Sequence, residues 1–232
     1  MTYRSATIAL AATTILTAIV AGCSMAAPAS YILFGPGKVE AEYTLAPVRT
    51  VVFVDDRTNV LPRTSLRATI GEKISQDLLS QGLVPNVVAP RDAIALTRSK
   101  EDGTKPLSIA AIGRELECQQ VIYVQVTTFT LQGDGSFTTT ETASGVGVTP
   151  TAKAMVKVID VVNNQRTYPV ADGPGRDIAA VMREIDPEKL RTVSQRRTVE
   201  DALATELGDE IGKLFYQHER IDQGEHLGPR NK

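Results

Sequence analysis

Apolar positions recur along this chain with different periods, and each period predicts a different element. Val51-Val52-Phe53-Val54 is a continuous β-rich run ended by Asp55-Asp56, the pattern of a strand buried on both faces. Leu66, Ile70, Ile74 and Leu78 then recur every fourth residue. Thr64 or Ser65 is available as a cap and Gly82 lies just past the end, which predicts an amphipathic helix. Residues 83–88 predict a short second strand stopped by Pro90, and Pro85 within it places that strand at a sheet edge. A brief helix over 92–96 and a polar loop over 97–105 follow. Ser108 caps a helix running to Leu116, and residues 120–131, rich in Val, Ile, Tyr, Thr and Phe, predict a long strand.

Beyond a turn at Gly133-Asp134-Gly135, residues 138–151 are rich in threonine and glycine and fit either an irregular loop or a hairpin tip. Residues 152–162 alternate, with Ala154, Val156 and Val158 on one side and Lys153 and Lys157 on the other. Asn163-Asn164 then turns the chain into residues 165–170, so the two segments predict a hairpin. A short helix is expected over 177–185. Thr198 and Asp201 have the spacing of a capping box ahead of Leu203, Leu207, Ile211 and Leu214. Early strand–helix–strand alternation predicts parallel pairing through a crossover, and the later consecutive strands an antiparallel meander. The expectation is one α/β (α+β-like) domain over residues 48–216, a mixed sheet with helices packed on it.

The amino terminus carries a different signal. Arg4 is followed by a largely apolar run over 6–20, too short to span a bilayer, which takes about 20 residues, but suited to the hydrophobic part of a secretory signal. It ends in Val20-Ala21-Gly22-Cys23, where two small residues admit a peptidase and a thiol can be alkylated by lipid. These residues resemble the lipobox of bacterial lipoproteins. The resemblance implies a signal peptide over 1–22, cleavage between Gly22 and Cys23, and lipidation of Cys23. Residues 23–47, with Pro28, Pro36 and Pro47, then read as a tether, and residues 217–232 as a flexible polar tail. Such a chain is a membrane-anchored lipoprotein of the cell envelope facing the periplasm. Ser24, in place of Asp, puts the outer membrane ahead of the inner.

Charge narrows the partners. The net charge is −2, and −3 once Arg4 is removed; this balance argues against nucleic acid, which wants a concentrated positive face. With Cys23 committed to lipid, Cys118 has no internal disulfide partner, and its place in the pattern Ile109, Ile112, Leu116 predicts a buried, inert thiol.

Catalytic chemistry is sparsely supplied. The two histidines, His218 and His226, both lie in the tail, so a nucleophile paired with histidine is not expected. No Cys/His cluster suggests a metal, and no phosphate-loop or dinucleotide fingerprint is present. Carboxylates remain. Asp55 and Asp56 stand at the end of a buried strand, where open α/β sheets place ligands; a turn or cap role is the other reading. Asp160 is expected to bond backbone at the Asn163-Asn164 turn, and Glu206, Asp209 and Glu210 to form a solvated helix face. Candidate binding residues are Asp55, Asp56, Thr139, Thr140, Gly145 and Gly147, with no catalytic residue, metal or cofactor.

Two segments carry a second resemblance. The first is Ile109-Ala110-Ala111-Ile112-Gly113-Arg114-Glu115-Leu116 followed by the strand from Gln120 to Val126. The second is Ala154-Met155-Val156-Lys157-Val158-Ile159-Asp160, a turn, and Arg166-Thr167-Tyr168-Pro169. Together they resemble envelope lipoprotein domains of the curli-secretion-lipoprotein and TolB-amino-terminal type. The resemblance implies a protein that works without chemistry as an assembly, scaffold or adaptor part, with an envelope protein or its own copies as partner. Curli-type members build a pore from long alternating hairpins; residues 136–148 lack that alternation, so pore formation is not implied. The other function class is a ligand-binding lipoprotein associated with a transport system.

Overall fold

Both faces and both edges of one strand are covered, and the rest of the domain is arranged around it. The computed structural model describes residues 37–100, 106–131, 147–170 and 173–220. Residues 1–36, which hold the signal, the lipidation site and the first part of the tether, lie outside the described residues, as do 101–105, 132–146, 171–172 and 221–232; the expected tether residues 41–47 belong to the folded domain, with Leu45 buried in it. A two-residue strand β1 (Lys38–Val39) pairs antiparallel with β8 (His218–Glu219), and these segments form a unit of their own. Residues 41–216 form the mixed α/β domain.

Within it, β2 (Thr50–Asp55) is buried along its whole length. Its next elements are α1 (Ser65–Ser80), β3 (Val87–Val88), α2 (Pro90–Lys100), α3 (Ile109–Glu115) and β4 (Gln120–Thr130). Then come β5 (Thr151–Asp160), β6 (Gln165–Tyr168), β7 (Arg176–Val181) and α4 (Val193–Gly212). The sheet order is β3-β2-β4-β5-β6, with β2 parallel to both neighbours and the later pairs antiparallel. β7 pairs with the first part of β5 on the edge whose last part takes β6. This is the expected mixed sheet with helices on it.

Alternation along the strands sorts the core into two layers. Val52, Val54, Ile122, Val124, Ala154, Val156 and Val158 face α1 and α4, where Leu66, Ile70, Ile74 and Leu78 meet Leu203, Leu207 and Ile211. Val51, Phe53, Val121 and Tyr123 face the other way, against Ala93 of α2, Ile112 of α3 and Cys118. Cys118 is buried, and burial pushes its thiol above the ordinary range, as expected of an inert cysteine.

Several local expectations are corrected. Residues 176–181 are a strand, where a helix was expected over 177–185, because the free edge of β5 offers a ladder from Thr151↔Val181 to Val156↔Arg176. The last helix starts at Val193, ahead of Thr198. Thr192 Oγ1 accepts from Gln195 N–H while Gln195 Oε1 accepts from Thr192 N–H, a complete capping box placed earlier in the chain than the expected one. β3 shrinks to Val87–Val88, beyond Pro85, at the sheet edge as predicted. α2 extends to Lys100, taking in residues expected to be loop. His218 and Glu219, expected to be part of a frayed tail, pair with β1. Gly82 ends α1 as anticipated, with φ +65° and its N–H on Leu79 C=O.

The seam between α1 and α4 is a close crossing. A Cβ on Gly208 would stand 2.9 Å from Lys73 Cβ and 3.0 Å from Ile70 O, and one on Gly212 2.7 Å from Asp77 Oδ2. Charges flank the seam. Lys73 Nζ reaches Asp77 at 2.6 Å and Asp209 at 2.8 Å, and Lys213 Nζ reaches Asp209 at 2.7 Å and Glu210 at 2.6 Å. Asp209 and Glu210 are thus half-buried partners in the seam; of the three acidic residues expected on a solvated face, Glu206 alone is exposed. A second tie fixes the start of the domain. Glu42 accepts from Arg176 Nη2 at 2.6 Å and Nε at 2.8 Å, and from Tyr168 Oη at 2.9 Å. Hydrogen bonding to Arg176 holds the Glu42 carboxyl below its ordinary value near 4.5, against the opposing effect of burial. Burial and the same carboxylate push the Tyr168 phenol up to about 12.

Ile74→Ala should cost about 2–5 kcal/mol in equilibrium denaturant unfolding, whereas Glu72→Ala, which removes only the exposed pair with Arg91, should be near neutral. Gly208→Ala raises intrinsic helix propensity by roughly 1 kcal/mol yet should destabilise by about 1–3 kcal/mol, because the seam has no room for a methyl group. Glu42→Gln tests the second tie through pH. A depressed folded pKa means the contribution is complete above about 4.5 and is lost as pH falls through the folded value. The stability gap between wild type and Glu42→Gln should therefore close in acid; a gap unchanged from pH 7 downward would contradict it.

Candidate functional site

The carboxyl end of β2 brings together charged groups that the sequence scatters. Asp55 ends the strand with its side chain inside the protein, 3% exposed. The β2–β4 register sets Phe53 beside Tyr123 and Asp55 beside Gln125. From there the Tyr123 hydroxyl donates to Asp55 Oδ2 at 2.7 Å. Arg57 supplies two more donors to the same carboxylate, its backbone N–H to Oδ1 at 3.1 Å and Nη1 to Oδ2 at 3.0 Å. Burial and the neighbouring Asp55 carboxylate push the Tyr123 phenol well above its ordinary range. That hydroxyl is therefore a fixed donor and no proton shuttle at neutral pH.

Asp56 does a different job. Its carboxylate accepts from Val60 N–H at 2.7 Å and from Leu61 N–H at 3.2 Å, closing the loop that leads into α1. This is the turn role weighed beside binding in the sequence. Asp160 likewise takes the Val162 and Asn163 N–H groups, and those bonds hold its carboxyl low.

A cleft of about 170 Å³ opens at this end of β2, lined by Phe53, Asp55, Asp56, Arg57, Arg67, Thr97 and Arg98. Its position follows from topology. β2 leaves along α1 on one face to reach β3, and the chain returns along α2 and α3 on the other face to reach β4. The carboxyl end of β2 is left open between the two crossings, where α/β sheets bind ligands. Arg67, on the first turn of α1, lies with its guanidinium 5.7 Å from the centre of the Phe53 ring and donates from Nε to Val54 C=O at 2.8 Å.

Sequence reasoning found Asp55 and Asp56 but missed Tyr123, Arg57, Arg67 and Arg98. The signal for Arg67 was present, as a polar residue between Leu66 and Ile70 on the helix that follows β2. Of the other candidate positions, Gly22, Cys23, Thr139, Thr140 and Gly145 lie outside the described residues. Gly147 is described. It borders a second cleft with Glu184, Ile185, Asp186 and Pro187, where a Cβ on Gly147 would overlap the Glu184 side chain. The two clefts share no lining residue, so among the described residues the structure does not join Gly147 to Asp55. No group of three or more His, Cys, Asp or Glu residues among the described residues could hold a metal ion. No helix among them is long and apolar enough to cross a membrane.

No protein-family model and no characterised protein sequence matches the chain. Among solved structures it is similar to a PelC dodecamer from Paraburkholderia phytofirmans, with 12% identity and TM-score 0.37 over 78% of this chain and 96% of that one. It is also similar to lipoprotein GNA1162 from Neisseria meningitidis, at 10% identity and TM-score 0.39 over 67% and 99%. A minor lipoprotein from Acinetobacter baumannii gives 13% and 0.33 over 72% and 94%. Solved structures similar to this chain thus include bacterial lipoproteins. At this distance the likeness transfers no role.

The Asp55–Tyr123 pair can be tested directly. Tyr123→Phe leaves a buried carboxylate short of a donor and should destabilise by roughly 1–3 kcal/mol. Asp55→Asn should also destabilise, and the double variant should cost less than the sum of the two. Additive costs in equilibrium unfolding would show that the two side chains act separately.

Proposed function

We propose that the protein is a lipid-anchored component of the cell envelope that works by protein association, as an assembly, scaffold or adaptor part, and carries out no chemistry. The observation that carries the reading is Val20-Ala21-Gly22-Cys23 directly after the apolar run over 6–20. One acyl chain holds a protein only marginally, and stable anchoring takes two signals; lipoprotein modification at a single cysteine supplies several chains. The domain then faces the periplasm, from the outer membrane rather than the inner, with an envelope protein or further copies of itself as partner.

The geometry at the end of β2 supports the non-enzymatic part. Asp55 is tied by Tyr123 and Arg57 and Asp56 by two backbone N–H groups, so neither carboxylate is held ready as a general base. A net charge of −2 favours a protein partner over nucleic acid.

Cys23→Ser should leave an unprocessed precursor or release the protein into the soluble fraction, read by immunoblot of fractionated cells. A processed variant that stays with the membrane would mean another anchor. Detergent extraction of the wild-type lipoprotein should recover a stoichiometric protein partner or a homo-oligomer. A purified domain that turns over a substrate, and loses that turnover on Asp55→Asn, would contradict the non-enzymatic role.

A further inference from the structure

We propose that the cleft at the carboxyl end of β2 is a binding site for a phosphate group, held by Arg67 and Arg98 with Arg57 at its rim. Among the described residues, three guanidinium side chains and two carboxylates line it, and the carboxylates are already engaged. Asp56 is turned to the Val60 and Leu61 N–H groups. Asp55 is held from inside by Tyr123 and from the rim by Arg57, at 3.0 Å from Nη1.

Arg67 is the unusual member. It is partly buried, and its Nε is fixed on Val54 C=O. No carboxylate among the described residues forms an ion pair with it. Burial pulls its pKa below the ordinary value, and the nearby charges of Arg98 and Arg57 pull the same way while Asp55 and Asp56 oppose them. A guanidinium held in the protein beside two others carries a free-energy cost, which a bound anion offsets. With Nε bonded to the main chain, the remaining N–H groups of the fork are left for a ligand, and a fork of fixed geometry suits tetrahedral and planar oxyanions.

Size selects among anions. The volume of about 170 Å³ is below the roughly 300–1,000 Å³ of sites for drug-sized molecules. It is several times the roughly 30 Å³ that a water molecule occupies in the liquid. The cleft therefore admits an anionic group and its hydration rather than a whole organic cofactor. A phosphate group offers acceptors on several sides, which matches donors arriving from the β2 loop, from α1 and from α2. Arg98 also lies in the last turn of α2, where a cation is favourable without any ligand. The variants below separate that local role from binding.

The test is a titration of the full-length protein in detergent with sodium phosphate, sodium chloride keeping the ionic strength constant, followed by thermal unfolding and calorimetry. Phosphate should raise the midpoint in a saturable way. Arg98→Gln should weaken phosphate binding about tenfold or more, the loss of a charged hydrogen bond. Arg67→Lys, which keeps the charge and loses the fork, should weaken it as well. Arg91→Gln makes the same charge change on α2 outside the cleft and should leave affinity within about twofold.

No saturable effect of phosphate, equal losses in Arg98→Gln and Arg91→Gln, or unchanged affinity in both cleft variants would overturn the assignment. A second arm separates two sources of the group. Full-length Cys23→Ser protein is mixed with phosphatidylcholine vesicles with and without phosphatidic acid. A lipid headgroup gives phosphatidic-acid-dependent retention that inorganic phosphate displaces and Arg98→Gln abolishes. A soluble phosphate gives binding in the first arm with no such retention. The outcome is independent of the lipid anchor. Loss of phosphate binding leaves the Cys23 reading standing, and a failed Cys23→Ser release leaves this one.

Discussion

The domain depends on the complete burial of β2. Val51, Val52, Phe53 and Val54 alternate between two apolar layers, so neither face of the strand meets water. Its backbone groups must then find partners in the sheet, and the parallel ladders to β3 and β4 provide them. Parallel ladders require crossovers. α1 crosses on one face and α2 with α3 on the other, which puts helices on both sides of this half of the sheet. The antiparallel half has no crossover of that kind. On the face away from α1 and α4 it presents Lys153, Asp177, Ala179 and Val181, all exposed.

The cost of this arrangement appears at the strand's end. The last residue of β2 is a buried aspartate, and a buried carboxylate persists only when it is paired and hydrogen-bonded. Tyr123 and Arg57 meet that requirement for Asp55. The same opposition of crossovers leaves the cleft in which the arginines gather. Along the same helix α1 the glycines of α4 solve a separate problem, since α1 packs on both β2 and α4 and the two helices cross closely. Lys73 lies against Gly208 there and extends to Asp209.

Much of the fold was legible because burial imposes a period. β2 was visible as an unbroken apolar run and α1 as a four-residue repeat, and β5 as an alternation of small apolar and lysine positions. β7 was not, because Asp177-Ile178-Ala179-Ala180 carries no strand period. Its state is set by the edge of β5, an earlier part of the chain, and tertiary pairing overrides local propensity. The start of α4 was misplaced for a related reason. Its first turns, from Val193 to Arg197, are exposed, so no apolar stripe marks them, and two threonines three residues ahead of a polar partner competed for the cap. At the candidate site Asp55 could be found from its position at a strand end. Tyr123, 68 residues away, could be found only from the β2–β4 register, and Arg98 only from the direction in which α2 runs.

The proposed anchoring depends on what is attached to Cys23. The most direct measurement is mass spectrometry of the protein extracted from membranes, intact and after digestion. The predicted result is a chain that begins at Cys23, with the sulfur carrying a diacylglyceryl thioether. A chain that retains residues 1–22, or that is cut elsewhere and leaves Cys23 as a free thiol, would contradict it.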